Sequence, residues 1–169
     1  MVGNFDLSQP TIIETFEGGT HTAGVIQYGY NLYRINGSQT KISPLSVTVS
    51  LDKGTNGGGA LNEVVSETVG VKISDIDTSY TNIKIYAIKY TSYNQAPGIS
   101  VISDQTVPSS GEIVFYDDGS VLADISNETF LFLGGDVIIP KNMEVKNNRM
   151  FLSNYKENSY VLQNRDVKT

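Results

Sequence analysis

The chain has 169 residues, 39% of them apolar and 18% charged, enough for one domain with a sizeable core and at most a fragment of a second. A net charge of −6 with no basic run argues against a general binder of nucleic acid or of anionic membranes. Without cysteine there are no disulfides and no thiolate metal sites, and a single histidine narrows zinc and iron chemistry further.

Residues 1–10, MVGNFDLSQP, have neither the positive flank nor the apolar stretch of a signal peptide. No window approaches the roughly 18 consecutive apolar residues of a membrane span. Residues 1–20 read as an N-terminal arm or a first strand. Ile26, Tyr28, Tyr30 and Leu32 then share one face of a period-two run, the signature of a half-buried strand. The run ends at Asn36-Gly37, a type I′ turn signal, with Thr40–Ile42 as the return arm. Pro44 breaks the ladder, and Leu45–Leu51 resumes as a strand. Glycines 54, 57, 58 and 59 mark a mobile loop. Leu61, Val64, Val65 and Thr68 fit a short helical turn or a ragged strand linker equally well.

Val69–Ile73 and Ile83–Tyr90 are strong strands joined by a polar turn. In the second, Ile83, Ile85, Ala87 and Lys89 alternate with Lys84, Tyr86, Ile88 and Tyr90, so both faces are largely apolar, as in a central strand between two layers. Gly98–Val107, Glu112–Tyr116 and Val121–Ile125 continue the series, the last two joined across Asp118-Gly119. This rhythm predicts an all-β fold, an antiparallel β-sandwich spanning residues 21–133. At Gly134-Gly135 the composition shifts, and a hairpin follows: Met143–Lys146, an Asn147-Asn148 turn, and Arg149–Ser153. Residues 134–169 read as the start of a following β-rich module, cut short, with the chain beyond Tyr160 poorly ordered.

Constellations for catalysis are thin. His21 is the one possible base for a nucleophilic triad, and it sits in a glycine- and threonine-rich stretch, GGTHTAG, that reads as a solvated loop. Ser153 to Lys156 matches S-x-x-K but lacks the partner motifs of the serine acyl-enzymes. The Gly57–Gly59 run has neither the third glycine nor the βαβ context of a dinucleotide site. Asp75 with Asp77, or Asp117 with Asp118, could offer oxygens to calcium, but turn chemistry accounts better for both pairs. No catalytic, cofactor-binding or metal residues are assigned, and no cofactor is expected. The ten tyrosines are the strongest bias. Those in strands suit packing, whereas Tyr80 and Tyr93, in turns, are the candidate contact residues.

Three stretches carry family resemblances. Residues 24–51 and 71–90, with Tyr-x-Tyr-x-Leu-Tyr, a turn, and a long Tyr-bearing strand, resemble a fibronectin type III-like domain. Residues 130–157 are similar to segments in large tail and neck proteins of crAss-like bacteriophages, which infect gut Bacteroidetes. The matching positions are Pro140, Lys141, Val145, Asn148, Arg149, Met150 and Phe151. The resemblance implies a non-catalytic virion structural protein, a tail or neck component meeting other virion subunits in a symmetric ring, with no nucleic acid and no membrane as partner. The isolated chain is expected to be monomeric or weakly associating. The alternative is a carbohydrate-binding or adhesion sandwich of a bacterial cell-surface protein.

Overall fold

In the computed structural model, residues 7–52 and 60–133 are described in full, and residues 138–146 and 149–157 as backbone strands. The chain divides into two units, Met1–Gly134 and Gly135–Thr169. The larger unit is an antiparallel sandwich. One sheet has three strands, β1 (Thr11–Thr22), β4 (Val64–Ile73) and β7 (Ile113–Asp117), in the order β1-β4-β7. The other has five: β2 (Gly24–Tyr33), β3 (Val49–Leu51), β5 (Asn82–Tyr90), β6 (Gly98–Thr106) and β8 (Ala123–Ile125), in the order β3-β2-β5-β6-β8. A short helix, α1 (Asn127–Leu131), follows, its first turn capped by Ser126 Oγ accepting from the Thr129 N–H at 3.1 Å. The smaller unit is a hairpin of β9 (Ile138–Lys146) and β10 (Arg149–Glu157), longer at both ends than the alternation predicts. The Asn147-Asn148 turn, the glycine run at 57–59, the Gly134-Gly135 break and the chain beyond Tyr160 lie outside the described residues.

The period-two run did what its pattern dictates. Ile26, Tyr28, Tyr30 and Leu32 of β2 and Ile83, Ile85 and Ala87 of β5 line the inner face and pack on Val69, Val71 and Ile73 of β4. Each buried aliphatic side chain there contributes about 1.5–3 kcal/mol from surface removed from water. The outer face of β5 is also covered. Tyr86 and Ile88 pack with Ile99 and Val101 of β6 beneath Ile42, Leu45, Phe130 and Leu133. Tyr86 meets Phe130 edge to face at 5.5 Å.

What covers β2 at its edge is not the strand expected there. The turn at Arg34–Gly37 closes through the Gly37 N–H on the Arg34 carbonyl at 3.0 Å. Gly37 alone adopts positive φ (87°), so the turn is not type I′, which needs both central residues there. Beyond it, of the expected Leu45–Leu51 strand only Val49–Leu51 pairs as β3. Between them, every third residue meets every second residue of β2. The N–H groups of Thr40, Ser43 and Ser46 donate to the carbonyls of Leu32, Tyr30 and Tyr28, each at 2.8 Å. Their hydroxyl oxygens accept the N–H groups of the same three residues at 2.9, 3.0 and 2.9 Å. Three residues of this strap span the rise of two strand residues, so the segment is too compressed to be a strand. The side-chain oxygens supply the acceptors its backbone cannot. Leu45 lies over Gly29, where an added Cβ would stand 2.8 Å from its Cδ2.

Apparent hairpins also turn out to be crossovers. The Asp118-Gly119 connection carries the chain from β7 in the three-stranded sheet toward β8 in the five-stranded one. Residues 74–81 likewise pass from β4 to β5.

Ser43→Ala leaves the buried Tyr30 N–H without an acceptor and is expected to cost about 1–3 kcal/mol. Urea unfolding should show that loss, whereas Ser38→Ala at the exposed turn should cost less than about 0.5 kcal/mol.

Candidate functional site

The polar groups of the sandwich converge at one end, where β1 and β7 close over the ends of β2 and β5. Asp117, the last residue of β7, is 2% exposed. Its Oδ2 accepts the Tyr28 hydroxyl at 2.9 Å, and Oδ1 accepts the Gly119 N–H at 3.0 Å. Tyr28 belongs to the opposite sheet, so this bond crosses the sandwich. Burial first, then the Asp117 charge and hydrogen bond, push the Tyr28 phenol far above its ordinary value.

His21 corrects the expectation of a solvated loop. It lies in β1, is 4% exposed, and brings Nε2 to 3.1 Å from the Asp117 carbonyl and 3.6 Å from Oδ2. A carbonyl only accepts, so Nε2 carries the proton. The glycines that suggested a loop form a bulge instead. Register slips between Glu17 and His21, and Thr20 donates its N–H to the Asp118 carbonyl at 2.7 Å. Gly19 (φ 117°) fits because any Cβ would strike the Glu67 carbonyl. By re-aiming the strand, the bulge turns His21 inward.

Lys89 ends the inward row of β5, in register with Ile26. Its ammonium donates to Thr22 Oγ1 at 2.6 Å. Burial lowers its pKa, with Asp117 pulling the other way. A cavity of about 220 Å³ opens here.

This arrangement links the two sheets through Tyr28 and Asp117. The hydroxyls around His21 are engaged elsewhere: Ser100 Oγ donates to Asp124 Oδ1 at 2.6 Å, and Thr20 Oγ1 to the Asp118 carbonyl at 3.3 Å. Among the described residues no hydroxyl bonds to His21, and no group of three or more His, Cys, Asp or Glu could hold a metal ion. Of the acidic pairs, Asp77 Oδ1 accepts the Ser79 N–H at 2.8 Å and Asp118 Oδ1 the Ser120 N–H at 2.9 Å, both turn-forming bonds. Asp117 goes beyond turn chemistry into the network above.

The two turn tyrosines part company. Tyr80 is 7% exposed and packs in the core with the Arg34 guanidinium 4.7 Å over its ring, so it is a buried corner residue and not a surface contact. Arg34 is pinned there by the Ser79 carbonyl at 3.1 Å and Ser79 Oγ at 2.9 Å. Tyr93 is 93% exposed and borders a cleft of about 560 Å³ with Tyr90, Asn94 and Gln95. Composition could not separate the two. For the network, the signal was present but unread: Tyr28 and Lys89 both stand in inward rows, where a polar group must find a partner.

The described residues form an all-β sandwich with a polar network bridging its two sheets, and comparison with known proteins supplies its family. The model of the Crassvirus muzzle protein family matches residues 1–168, and the chain belongs to that family. It is 29% identical over 158 residues to the muzzle protein of Bacteroides phage crAss001. That match covers 91% of this chain and 11% of the relative, so the chain spans about a tenth of the curated protein's length. The family is one of phage structural proteins.

Tyr28→Phe removes the cross-sheet bond to a carboxylate and is expected to cost about 1.5–3 kcal/mol by denaturant unfolding. Tyr28, Tyr30 and Tyr86 are raised chiefly by burial, and Tyr33 is raised first by its bond to Asp104; Tyr33 and Tyr86 each reach about 12. A raised folded value means their stabilisation is complete below the unfolded phenol value of 10.0 and is lost as pH rises past it. Melting temperature should therefore fall above about pH 10. Phenolate absorbance of these rings should appear together with unfolding; free titration of all ten before any loss of structure would contradict the network.

Proposed function

We propose that the chain is a non-catalytic structural and interaction module of a phage virion, in its tail or neck, where it meets other virion subunits in a symmetric ring. The observation that carries the reading is the family match along nearly the whole chain. The larger unit serves as a fibronectin type III-like sandwich. In support, β3-β2-β5-β6 follows the C′-C-F-G order of immunoglobulin-like sheets, and β1-β4 stands as their B-E pair. Tyr80 sits at the corner before β5, where such domains keep a buried tyrosine. β7 departs from the pattern, since it follows the G position in the chain yet pairs beside β4. Residues 134–169 act as the start of a following β-rich module.

The outer face of the three-stranded sheet is the surface offered to neighbours. Ile13, Phe16, Val114 and Tyr116 are half-exposed there, with Phe16 and Tyr116 edge to face at 5.8 Å. A second reading, glycan contact, rests on Tyr93 and its cleft, and family membership favours a phage setting over a bacterial surface protein for it.

Gold-labelled antibody against the isolated chain should decorate the tail or neck of intact virions, and decoration of the capsid shell alone would sink the assignment. The isolated chain should scatter light as a monomer at micromolar concentration; a tight oligomer would contradict the expectation of weak association. On a glycan array, binding abolished by Tyr93→Ala would move the balance to the second reading.

A further inference from the structure

The two sheets of the larger unit end in four edge strands, and three of them are blunted. β1 slips register twice and carries Glu14 and Glu17. β3 and β8 are three residues long, and the strap covers β2 beyond β3. Short, bulged or charged edges resist the addition of a foreign strand. β7 lacks these devices. Its five residues, Ile-Val-Phe-Tyr-Asp, run in unbroken register against β4 and include no proline and no lysine. Its one charged member, Asp117, is held inside the sandwich by Tyr28 and Gly119. Among the described residues no strand pairs with its other edge, and no backbone bond outside the β4 ladder reaches Ile113–Asp117. The open edge is also apolar. Val114 and Tyr116 are half-exposed on the outer face, and Phe115, on the inner face, is only partly buried.

Charge narrows the occupant. A second copy fits poorly, because two β7 edges paired antiparallel about Phe115 would set Glu112 of each against Asp118 of the other. Like charges directly opposite destabilise a strand pair. Glu112 is ion-paired with Lys72 Nζ at 2.8 Å, whereas Asp118 is exposed, and hydrogen bonding from Ser120 holds its carboxyl below the ordinary value. Glu14, whose Oε1 accepts the Tyr116 hydroxyl at 3.2 Å, adds a carboxylate to the same face. The complementary strand has basic residues at both ends and apolar residues between, packing beside Val114 and Tyr116 on one side and Phe115 on the other. In such an addition the backbone ladder supplies affinity and the alternate side chains supply selection.

We propose that the free edge of β7 is a strand-addition site for an extended segment of another virion subunit, apolar at its centre and basic at its ends. The identity of the partner rests on the structural reading above; the chemistry of the edge does not. Antibody labelling confined to the capsid shell would overturn the tail or neck placement and leave the edge site standing. Failure of the titration below would do the reverse.

The test is an amide NMR titration of the chain with the blocked peptide acetyl-Lys-Val-Ile-Val-Lys-amide at low ionic strength. Saturable shifts and slowed amide exchange should centre on Ile113–Asp117. Replacing both lysines of the peptide by glutamate should weaken binding about tenfold or more, and N-methylation of its backbone should abolish it. Val114→Lys, at a half-exposed position, should weaken the lysine peptide by a similar factor while the spectrum stays folded. Asp118→Lys should narrow or reverse the preference for the lysine peptide, which a loss of structure alone would not do. Equal binding of the lysine and glutamate peptides, unchanged binding after N-methylation or in folded Val114→Lys, shifts centred on β1 or β8, or shifts without saturation would each overturn the proposal. So would a dimer of the chain that Val114→Lys dissolves, since the occupant would then be a second copy.

Discussion

Asp117 sets the terms for the sandwich. A carboxylate taken almost wholly out of water survives only if protein donors replace its hydration, and the donors come from three directions: the Tyr28 hydroxyl, the Gly119 N–H and, near its carbonyl, His21 Nε2. Tyr28 and His21 belong to strands of opposite sheets, and Gly119 to the connection that leaves β7. Fixing them fixes the approach of β1 to β7, the position of the Asp118-Gly119 crossover and the register of β2 against the opposite layer. The β1 bulge follows from the same demand, because only a slipped register brings His21 inward. An apolar trio of the same volume could hold the layers together equally well. What the polar set adds is a single allowed arrangement.

The five-stranded sheet carries a second constraint, since it is buried on both sides. Its inner face meets the three-stranded sheet, and its outer face is roofed by the strap and α1. The polar groups on that roofed side are matched as well: Asn31 Oδ1 accepts the Tyr86 hydroxyl at 3.0 Å, and Tyr33 donates to Asp104 at 2.5 Å. A central layer covered twice resists shear better than a simple two-layer sandwich, because sliding either cover breaks a packed interface. That property suits a phage structural protein better than a fold built around an open cleft.

How much of this was legible depends on whether a strand's neighbours imprint on its own sequence. β2 and β5 sit in the middle of the sheet, and burial wrote the alternation of Ile26, Tyr28, Tyr30 and Leu32 and the two apolar faces of Ile83–Tyr90 directly into the chain. β1 is an edge strand with two register slips and exposed side chains on both sides, so Thr11–Thr22 shows no period and its glycines imitate a loop. The strap was illegible for another reason. Its ladder runs on hydroxyls three apart, a period belonging to neither a strand nor an α-helix. Asp118-Gly119 carries a good hairpin signal, yet nothing local tells a chain whether to turn back in its own sheet or cross to the other. Tyr80 shows the same limit: a tyrosine in a turn is exposed or buried according to which layer the turn crosses.

The strap also closes one edge of the five-stranded sheet to other copies of this chain. An uncovered strand edge is a template: any extended segment, including the same segment of another molecule, can zip onto it. Along Tyr28 to Leu32 the template has been erased, since each N–H that would recruit a foreign backbone is already held by a serine or threonine oxygen. A neighbour arriving from that side finds side chains and no ladder to extend. On this side of the five-stranded sheet, crowding therefore favours contact between side chains, which is reversible and shape-dependent, over the runaway stacking of edges.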